Sequence, residues 1–345
     1  MRQAWSSRSN GLCVPSKTDD TDTGTSECPC ASSSLCHSLP LGAAKDANTS
    51  IPRVFAFHPA RAIYNGSDNE WMSWDWNAIT TVATVAFCPN KYCDYPIAYH
   101  PGVVDKPNVS KALLCHAHQH GARVHSFTYW NWNEPGTWKQ LRNVTARKTW
   151  VDWQVGTVQR LGLDGVNVDI EGQYNHSLRA SLTALICELQ TALKAAVPGA
   201  SVSFDLAIEP TYGPIEAGYD YVGLAKCLDT IVPMAYDMVD NGKAANSPLP
   251  AVLHGIDGYK RMGIPLAKLS VALPWYGYDI VCDDVQPDVD CVAPKGFPNR
   301  QPGLGEVLDL HAIVGAPPIV FNPVSVSKYF GTSRSTSSPA LQSRS

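Results

Sequence analysis

Apolar and polar residues follow a regular order along the chain from about residue 51 onward. Short runs rich in Val, Ile and Thr, a pattern typical of buried strands, are separated by longer stretches with helical periodicity. Seven runs are predicted as strands: 53–58, 79–87, 122–130, 164–171, 201–208, 229–237 and 268–277. Helices are predicted between them, for example at 145–162 and at 177–197, where Ser177 is the expected cap and Pro198 the stop. Apolar strands alternating with helices indicate a parallel sheet covered on both faces.

The choice between an open sheet and a closed barrel depends on where the polar residues fall. No glycine-rich G-x-G-x-x-G turn follows an early strand, so the main argument for an open dinucleotide-binding sheet is missing. Acidic residues instead stand at the carboxyl ends of several predicted strands: Glu171, Glu209, Asp237 and Asp279. In a barrel these ends converge on one mouth, where active sites lie. We therefore expect a (β/α)8 barrel of the TIM type.

The two ends of the chain differ from its middle. Only seven strands can be assigned, whereas a closed barrel of this type needs eight, and 316–324 is the remaining candidate to close it. The barrel is thus expected to be truncated before the eighth strand, and its unpaired edges to make this chain unstable or inactive. Residues 1–27 lack the apolar core of a signal peptide and are expected to be a disordered or wrongly assigned start. Residues 331–345 are Ser-rich and expected to be disordered.

Composition and charge narrow the classes of partner. The chain has 27 basic against 31 acidic residues and a pI near 6.2, so a nucleic-acid partner is not expected. No apolar run approaches the roughly 20 residues of a membrane helix, and we expect a monomer that binds no membrane. Eleven cysteines and five N-x-[ST] sequons point to disulfides and to the secretory route. The sequons lie at Asn48, Asn65, Asn108, Asn143 and Asn175.

The predicted strand 164–171 carries polar residues where a buried strand should be apolar. Because side chains alternate along a strand, the three polar residues share one face: Asn167, Asp169 and Glu171. Inside a barrel, an ionised carboxylate without partners would cost several kcal/mol or more. Neighbouring carboxyl groups tend to hold one proton between them, and a protonated acid beside an ionised one suits glycoside hydrolysis. The alternative is a hydrogen-bonded structural network.

The strand letters "DGVNVDIE" resemble the strand-four signature D-G-x-D-x-D-x-E of glycoside hydrolase family 18. The Asn at position 167, in place of the middle Asp of the signature, resembles the strand-four sequence of the di-N-acetylchitobiase-like branch of that family. Four further segments resemble the family in the same order: "CPCASSSLC" (28–36), "LLCHAHQHGARV" (113–124), "MAYD" (234–237) and "PWYGYD" (274–279). The likeness covers residues 28–330, which are therefore expected to form the catalytic domain.

The resemblance implies retaining hydrolysis in which the substrate's own 2-acetamido group is the nucleophile, an exception to the two-carboxylate rule. Glu171 would protonate the leaving oxygen and later activate water. Asp169 would hold the amide N–H and balance the developing positive charge, and the Tyr236 hydroxyl would donate to the acetamido oxygen. Asn167 would support Asp169 by hydrogen bonding without adding a third negative charge.

Substrate contacts are expected from the other motif residues: Met234, Asp237, Trp275, Tyr276 and Trp130. The aromatic residues among them offer flat faces to pyranose rings, although single aromatics are as often core. Asp205 and Glu209 share one face of the fifth strand, and no motif assigns them a role.

No cofactor and no metal site are expected. The pair His116 and His120 stands at i, i+4 on a predicted helix and could chelate a metal. It precedes the third strand, however, and so would lie at the end of the barrel away from the mouth.

The predicted function is hydrolysis of β-1,4-linked N-acetylglucosamine linkages, in chitin oligosaccharides or in N-glycan cores. The alternative is a sugar-binding protein without turnover, since this family contains lectin-like members. Those members usually lose the catalytic glutamate, and Glu171 is present. A lysosomal or secreted location is expected from the cysteines and sequons.

Overall fold

The computed structural model describes residues 30, 32–47, 53–58, 70–85, 111–131, 141–171, 176–210, 218–238, 245–278, 302–313, 315, 318–322 and 326–329. Six strands form one sheet in the order β1-β2-β3-β4-β5-β6. They are β1 (Phe55–His58), β2 (Thr81–Val85), β3 (Arg123–Asn131), β4 (Gly165–Glu171), β5 (Ser201–Ala207) and β6 (Thr230–Met234). The registers from β1 to β5 are parallel. The first six predicted strands and the barrel-type fold class are confirmed, with each strand neighbouring the next along the chain.

The seventh predicted strand, 268–277, is represented by isolated parallel bridges rather than by a full strand. Leu269 bridges Ile231, and Ala272 bridges Met234. The segment 316–324 does not join the six-stranded sheet: its strand β7 (Val320–Asn322) pairs antiparallel with β8 (Ser327–Tyr329). Within the described ranges, no eighth parallel strand is present.

Six α-helices lie in the described part of the chain. They are α1 (Lys111–Gln119), α2 (Val144–Leu161), α3 (Arg179–Ala196), α4 (Tyr221–Cys227), α5 (Leu249–Arg261) and α6 (Leu304–Ile313). None of the described helices is long and apolar enough to cross a bilayer. Helix α2 packs against α3, β3 and β4, which gives the helix-on-sheet layering expected from the alternating pattern.

Helix ends follow local sequence signals in one case and depart from them in another. Helix α2 is capped at its N-terminus by Asn143, whose Oδ1 accepts from the backbone N–H of Thr145 at 2.9 Å. Its C-cap is Gly162, where φ is 68° and a Cβ would lie 2.1 Å from a backbone oxygen, so only glycine fits. The expected Ser177 cap of α3 is wrong: Ser177 lies in a short 3-10 turn and accepts instead from the Arg142 guanidinium at 2.5 Å.

The start of β4 is anchored by Asp164, which directly precedes it. One carboxylate oxygen accepts from the Leu39 N–H at 2.6 Å, and the other accepts from the Val124 N–H and from His118 Nε2, both at 2.7 Å. Asp164 and His118 are both fully buried. Asp164 therefore braces the start of its strand, and through the Leu39 N–H the same carboxylate holds the segment 32–47.

Strand β4 approaches its neighbours closely at its first residue. A Cβ on Gly165 would lie 2.1 Å from the Ser201 carbonyl oxygen and 2.6 Å from His125 Nε2. Glycine at this position therefore lets β3, β4 and β5 carry polar side chains in a confined space. Along the rest of β4, Val166, Val168 and Ile170 are at most 1% exposed.

The predicted disulfides are confirmed among the described residues. One links Cys30 to Cys115 of α1, and another links Cys187 of α3 to Cys227 at the end of α4. Each joins segments far apart along the chain, with separations of 85 and 40 residues. Both crosslinks therefore restrict the unfolded chain over long loops.

The chain divides into two compact units. The first comprises Met1–Asp205, Tyr212–Val232 and Ala267–Ser270. The second comprises Leu206–Thr211, Pro233–Leu266 and Val271–Ser345. The polar residues of β4 belong to the first unit, and the M-x-Y-D segment belongs to the second.

Candidate active site

A buried polar column runs along β4 and β5 in the first unit. The parallel register pairs Asn167 with Ser203 and Asp169 with Asp205. All four residues are nearly inaccessible, with Asn167 and Ser203 at 0% exposed, Asp205 at 4% and Asp169 at 9%. Because paired residues of neighbouring strands point to the same face of a sheet, two carboxyl groups stand side by side above an amide and a hydroxyl.

Asn167 is bound to the fifth strand. Its Nδ2 donates to Ser203 Oγ at 3.0 Å and to Asp205 Oδ1 at 2.9 Å. Both amide hydrogens are thereby used, and they go to β5 rather than to Asp169. Asp205, to which no motif assigned a role, is therefore part of the site. Its position in the alternating pattern of β5 was the available sequence signal.

His125 lies at the N-terminal end of the column, beside Gly165 of β4, and was not identified as a candidate from the sequence. Its Nε2 lies 2.7 Å from Ser201 Oγ, and its Nδ1 lies 3.2 Å from Ser203 Oγ. Burial, with a smaller effect of the nearby Arg123 charge, lowers the pKa of His125 to about 3. The imidazole is therefore neutral near pH 7 and adds no positive charge to the column.

The carboxyl end of β4 is held through its backbone. The Tyr219 hydroxyl donates to the carbonyl oxygen of Ile170 at 2.5 Å. The Tyr219 ring packs against Phe204 and Tyr221, with centroids 6.1 and 5.8 Å away. This contact fixes the peptide that precedes Glu171, whose own side chain lies outside the described part of the structure. The sequence motifs did not indicate Tyr219 either.

In the second unit, the polar residues surround Asp237. The hydroxyls of Tyr276 and Tyr278 both donate to Asp237 Oδ1 at 2.5 Å, the short distance of a charge-assisted bond. The Asp237 N–H donates to Asn246 Oδ1 at 2.7 Å, and Asp237 adopts a left-handed φ of 55°. Such a backbone conformation is strained for a residue other than glycine and indicates a position fixed by its surroundings.

Tyr276 is a hydrogen-bond donor to Asp237 rather than only a flat ring. Burial, followed by the hydrogen bond and charge of Asp237, raises the pKa of Tyr276 far above its ordinary value. Its ring stands edge-on to that of Tyr236, with centroids 6.4 Å apart. Trp275, next to it, is 77% exposed and presents its indole to solvent. Met234 is partly exposed at the end of β6, and the Trp130 side chain lies outside the described part.

The remaining sequence candidates have structural partners. Glu209 lies 2.5 Å from His254 Nδ1, within the second unit. The rings of His116 and His120 are tilted by 40° with centroids 4.7 Å apart, and the His116 ring contacts Trp76 edge-on at 5.0 Å. Burial, together with the charge of His120, lowers the pKa of His116. These two histidines therefore form an aromatic cluster with Trp76 at the C-terminal end of α1.

One group of three residues of a metal-ligating type lies close together in the described ranges: Cys30, Cys36 and Cys115. Two of its members form the Cys30–Cys115 disulfide, so their sulfurs are not thiolate ligands. The Cys36 sulfur lies 3.3 Å from that of Cys30. The chemistry of this group is that of crosslinking.

Comparisons with known proteins agree with this geometry. The family model Glycosyl hydrolases family 18 matches residues 54–302. The di-N-acetylchitobiases of Rattus norvegicus and Homo sapiens are 31% and 28% identical over 276 and 278 residues. Each alignment covers 78% of this chain, but only 64% of the rat and 61% of the human protein. This chain thus matches less than two thirds of the length of those relatives.

Solved structures support the fold at lower identity. A class V chitinase from Nicotiana tobaccum has a TM-score of 0.60 at 15% identity, covering 81% of this chain and 84% of that chain. A mutant family 18 chitinase from Cycas revoluta, solved in complex with (GlcNAc)4, has a TM-score of 0.62 at 17% identity, covering 81% and 85%. The six-stranded parallel sheet, the strand-four acids and the family match point to one conclusion: the chain belongs to glycoside hydrolase family 18.

Proposed function

We propose that this chain carries the catalytic machinery for hydrolysing β-1,4-linked N-acetylglucosamine, the linkage of di-N-acetylchitobiose. The observation that carries the proposal is the buried Asp169 two residues before Glu171 on β4, in a chain that belongs to a hydrolase family. The names of the rat and human relatives support this substrate class. Chitin oligosaccharides and N-glycan cores both contain the linkage.

In this proposal, Glu171 donates a proton to the glycosidic oxygen and afterwards removes one from water. The carbonyl oxygen of the substrate's 2-acetamido group attacks C1 and closes an oxazolinium ring, so no protein nucleophile is needed. Asp169 accepts the acetamido N–H and offsets the positive charge of the ring. The burial of Asp169 strengthens that interaction, since little water competes for the carboxylate.

The M-x-Y-D segment supplies the proposed sugar contacts of the second unit. Tyr236 donates its hydroxyl to the acetamido oxygen, and Met234 packs against the sugar. Asp237 accepts from a sugar hydroxyl through Oδ2, since both tyrosine hydroxyls described above occupy Oδ1. Trp275 offers an exposed apolar face to a pyranose ring, a role that Trp130 and Tyr276 share. The disulfides support a secreted or lysosomal location, because such bonds persist in oxidising compartments.

The test is turnover of a chromogenic glycoside of N,N′-diacetylchitobiose by the 345-residue chain, with the rat relative assayed alongside. Glu171→Gln should lower kcat by about 100-fold or more with unchanged thermal unfolding, because the amide cannot deliver a proton. The surface variant Glu306→Gln is the matched control and should retain full activity. A Glu171→Gln variant that keeps more than about a tenth of the rate contradicts the assignment.

Three further measurements separate the alternatives. A glycoside with a 2-hydroxyl in place of the 2-acetamido group should not be cleaved, and a thiazoline mimic of the oxazolinium ring should inhibit. Equal cleavage of both glycosides would require a protein nucleophile. If the chain binds N-acetylglucosamine oligosaccharides in calorimetry but shows no turnover beside the active rat relative, it is a sugar-binding protein.

A further inference from the structure

The family signature and this chain differ by one charge in the strand-four column. The signature D-G-x-D-x-D-x-E places a carboxylate where this chain has Asn167. An amide in its place cannot be ionised, and it cannot give up a proton under ordinary conditions. A carboxylate is nevertheless present within hydrogen-bonding distance of Asn167, on the neighbouring strand.

Asp205 is that carboxylate, and two independent observations connect it to the site. Its Oδ1 accepts from Asn167 Nδ2 at 2.9 Å, so the amide is oriented by β5. In the parallel register Asp205 is the partner of Asp169, at the strand spacing of about 4.8 Å. Asp205 therefore lies beside Asp169 and is hydrogen-bonded to Asn167, which precedes Asp169 on the same face of β4.

The described side chains next to this pair on the three strands are uncharged. From β3 the column is faced by His125, which burial keeps neutral near pH 7, and from β5 by the hydroxyl of Ser203. From β4 it is faced by the amide of Asn167. The register partner of Asp169 on β3 is Tyr129, whose side chain, like that of Glu171, lies outside the described part of the structure. Two nearly buried carboxylates in register repel each other, and one proton held between them removes that repulsion.

We propose that Asp205 is a positioning residue of the proposed hydrolase: it orients Asn167, shares one proton with Asp169, and so supplies from β5 the group that the family signature places on β4. The inference rests on the proposed function, because a positioning residue acts through the reaction of another group. Asp205 need not touch substrate. Its effect is to set the orientation and charge of Asp169 while the oxazolinium ring forms.

The test is a swap of the amide and the carboxylate in the 345-residue chain. Asp205→Asn removes one of the two carboxyl groups that share the proton. It should lower kcat by about tenfold or more, with KM changed by less than about twofold. Asn167→Asp puts a third carboxyl group into the column and should lower kcat by a similar factor. The double variant, which combines Asn167→Asp with Asp205→Asn, restores one amide and one carboxyl group and should return to within about threefold of wild type.

Asp152→Asn, on the exposed face of α2, is the matched control and should leave kcat, KM and unfolding unchanged. A purely structural role of Asp205 predicts lower stability without recovery in the double variant. Losses that multiply in the double variant would overturn the proposal, because independent sites show no coupling.

A spectroscopic readout separates this inference from the proposed function. In the wild-type chain labelled with carbon-13 aspartate, one carboxyl of the Asp169–Asp205 pair should remain protonated at about pH 6, well above the ordinary aspartate range. Asp205→Asn should abolish that signal, and Asp152→Asn should keep it. If the chain shows the shared proton but no turnover, the result contradicts the proposed hydrolase function and supports proton sharing by the Asp169–Asp205 pair. A wild-type chain in which both carboxyls are ionised at that pH overturns the pair, whatever its activity.

Discussion

The contact between His118 and Asp164 predicts a large loss of stability when the histidine is removed. Both side chains are fully buried, and His118 Nε2 lies 2.7 Å from Asp164 Oδ2. The other ring nitrogen, Nδ1, lies 2.8 Å from the carbonyl oxygen of Leu35. Both ring nitrogens therefore face acceptors, which favours the doubly protonated, cationic ring. Replacing His118 by Ala leaves a buried carboxylate without its cation.

The magnitude follows from what Asp164 retains. Removing one partner of a buried ion pair costs about 3 to 5 kcal/mol. Asp164 would keep the backbone N–H groups of Leu39 and Val124, so we expect His118→Ala to lower the free energy of unfolding by about 3 kcal/mol, the lower end of that range. His254→Gln is the matched control. The His254 side chain, which pairs with Glu209, is 64% exposed, and loss of such a surface pair costs about 1 kcal/mol or less.

The same contact gives stability a pH dependence of known sign. Burial alone lowers the pKa of His118, but the hydrogen bond and charge of Asp164 and the Leu35 carbonyl together raise it above the ordinary value of 6.5. A raised folded-state pKa gives stabilisation that is complete below the ordinary value and lost as pH rises through the folded value.

Urea unfolding at about pH 5 and about pH 9, on either side of the histidine range, measures both effects. The wild-type chain should exceed His118→Ala in stability by more at the lower pH than at the higher. A loss below about 1 kcal/mol, or an equal difference at both pH values, would show that His118 is uncharged or unimportant.

Three further outcomes are expected. Asn143→Ala should lower the free energy of unfolding by about 1 kcal/mol in thermal or urea unfolding, whereas Asn143→Asp, which still accepts as a cap, should not. Replacing Cys187 and Cys227 together by Ser should cost about 4 kcal/mol, as the 40-residue separation implies; an unchanged urea midpoint would refute this. Under the proposed function, Tyr278→Phe removes a hydroxyl that donates to Asp237 and should raise KM by about tenfold in steady-state kinetics; an unchanged KM would contradict a role for Asp237 in binding sugar.

The sequence by itself determined the elements and the family. Periodicity located the six strands of the sheet and the helices α2 and α3 to within a few residues, because burial of an apolar face acts on local spacing. The alternation in 164–171 identified Asn167 and Asp169 as residues of one buried polar face. The ordered motifs identified family 18, which the family match confirms.

Tertiary structure decided which groups these residues contact. Asn167 was expected to support Asp169, but its amide donates to Ser203 and Asp205, residues 36 and 38 positions further along the chain. The register between β4 and β5 determines these hydrogen-bond partners, and the spacing of residues within either strand does not predict them. The expected Ser177 cap was wrong for the same reason, since a guanidinium from a distant part of the chain contacts its hydroxyl.

The buried histidines show the same division. The sequence does not indicate the charge state of His118 or of His125. Their pKa values shift in opposite directions because His118 lies against the carboxylate of Asp164, whereas His125 lies between serine hydroxyls. Burial disfavours the charged form of both rings, and only a neighbouring charge from another segment can reverse that effect. Local pattern thus determined which positions are buried, and packing between distant segments determined their chemistry.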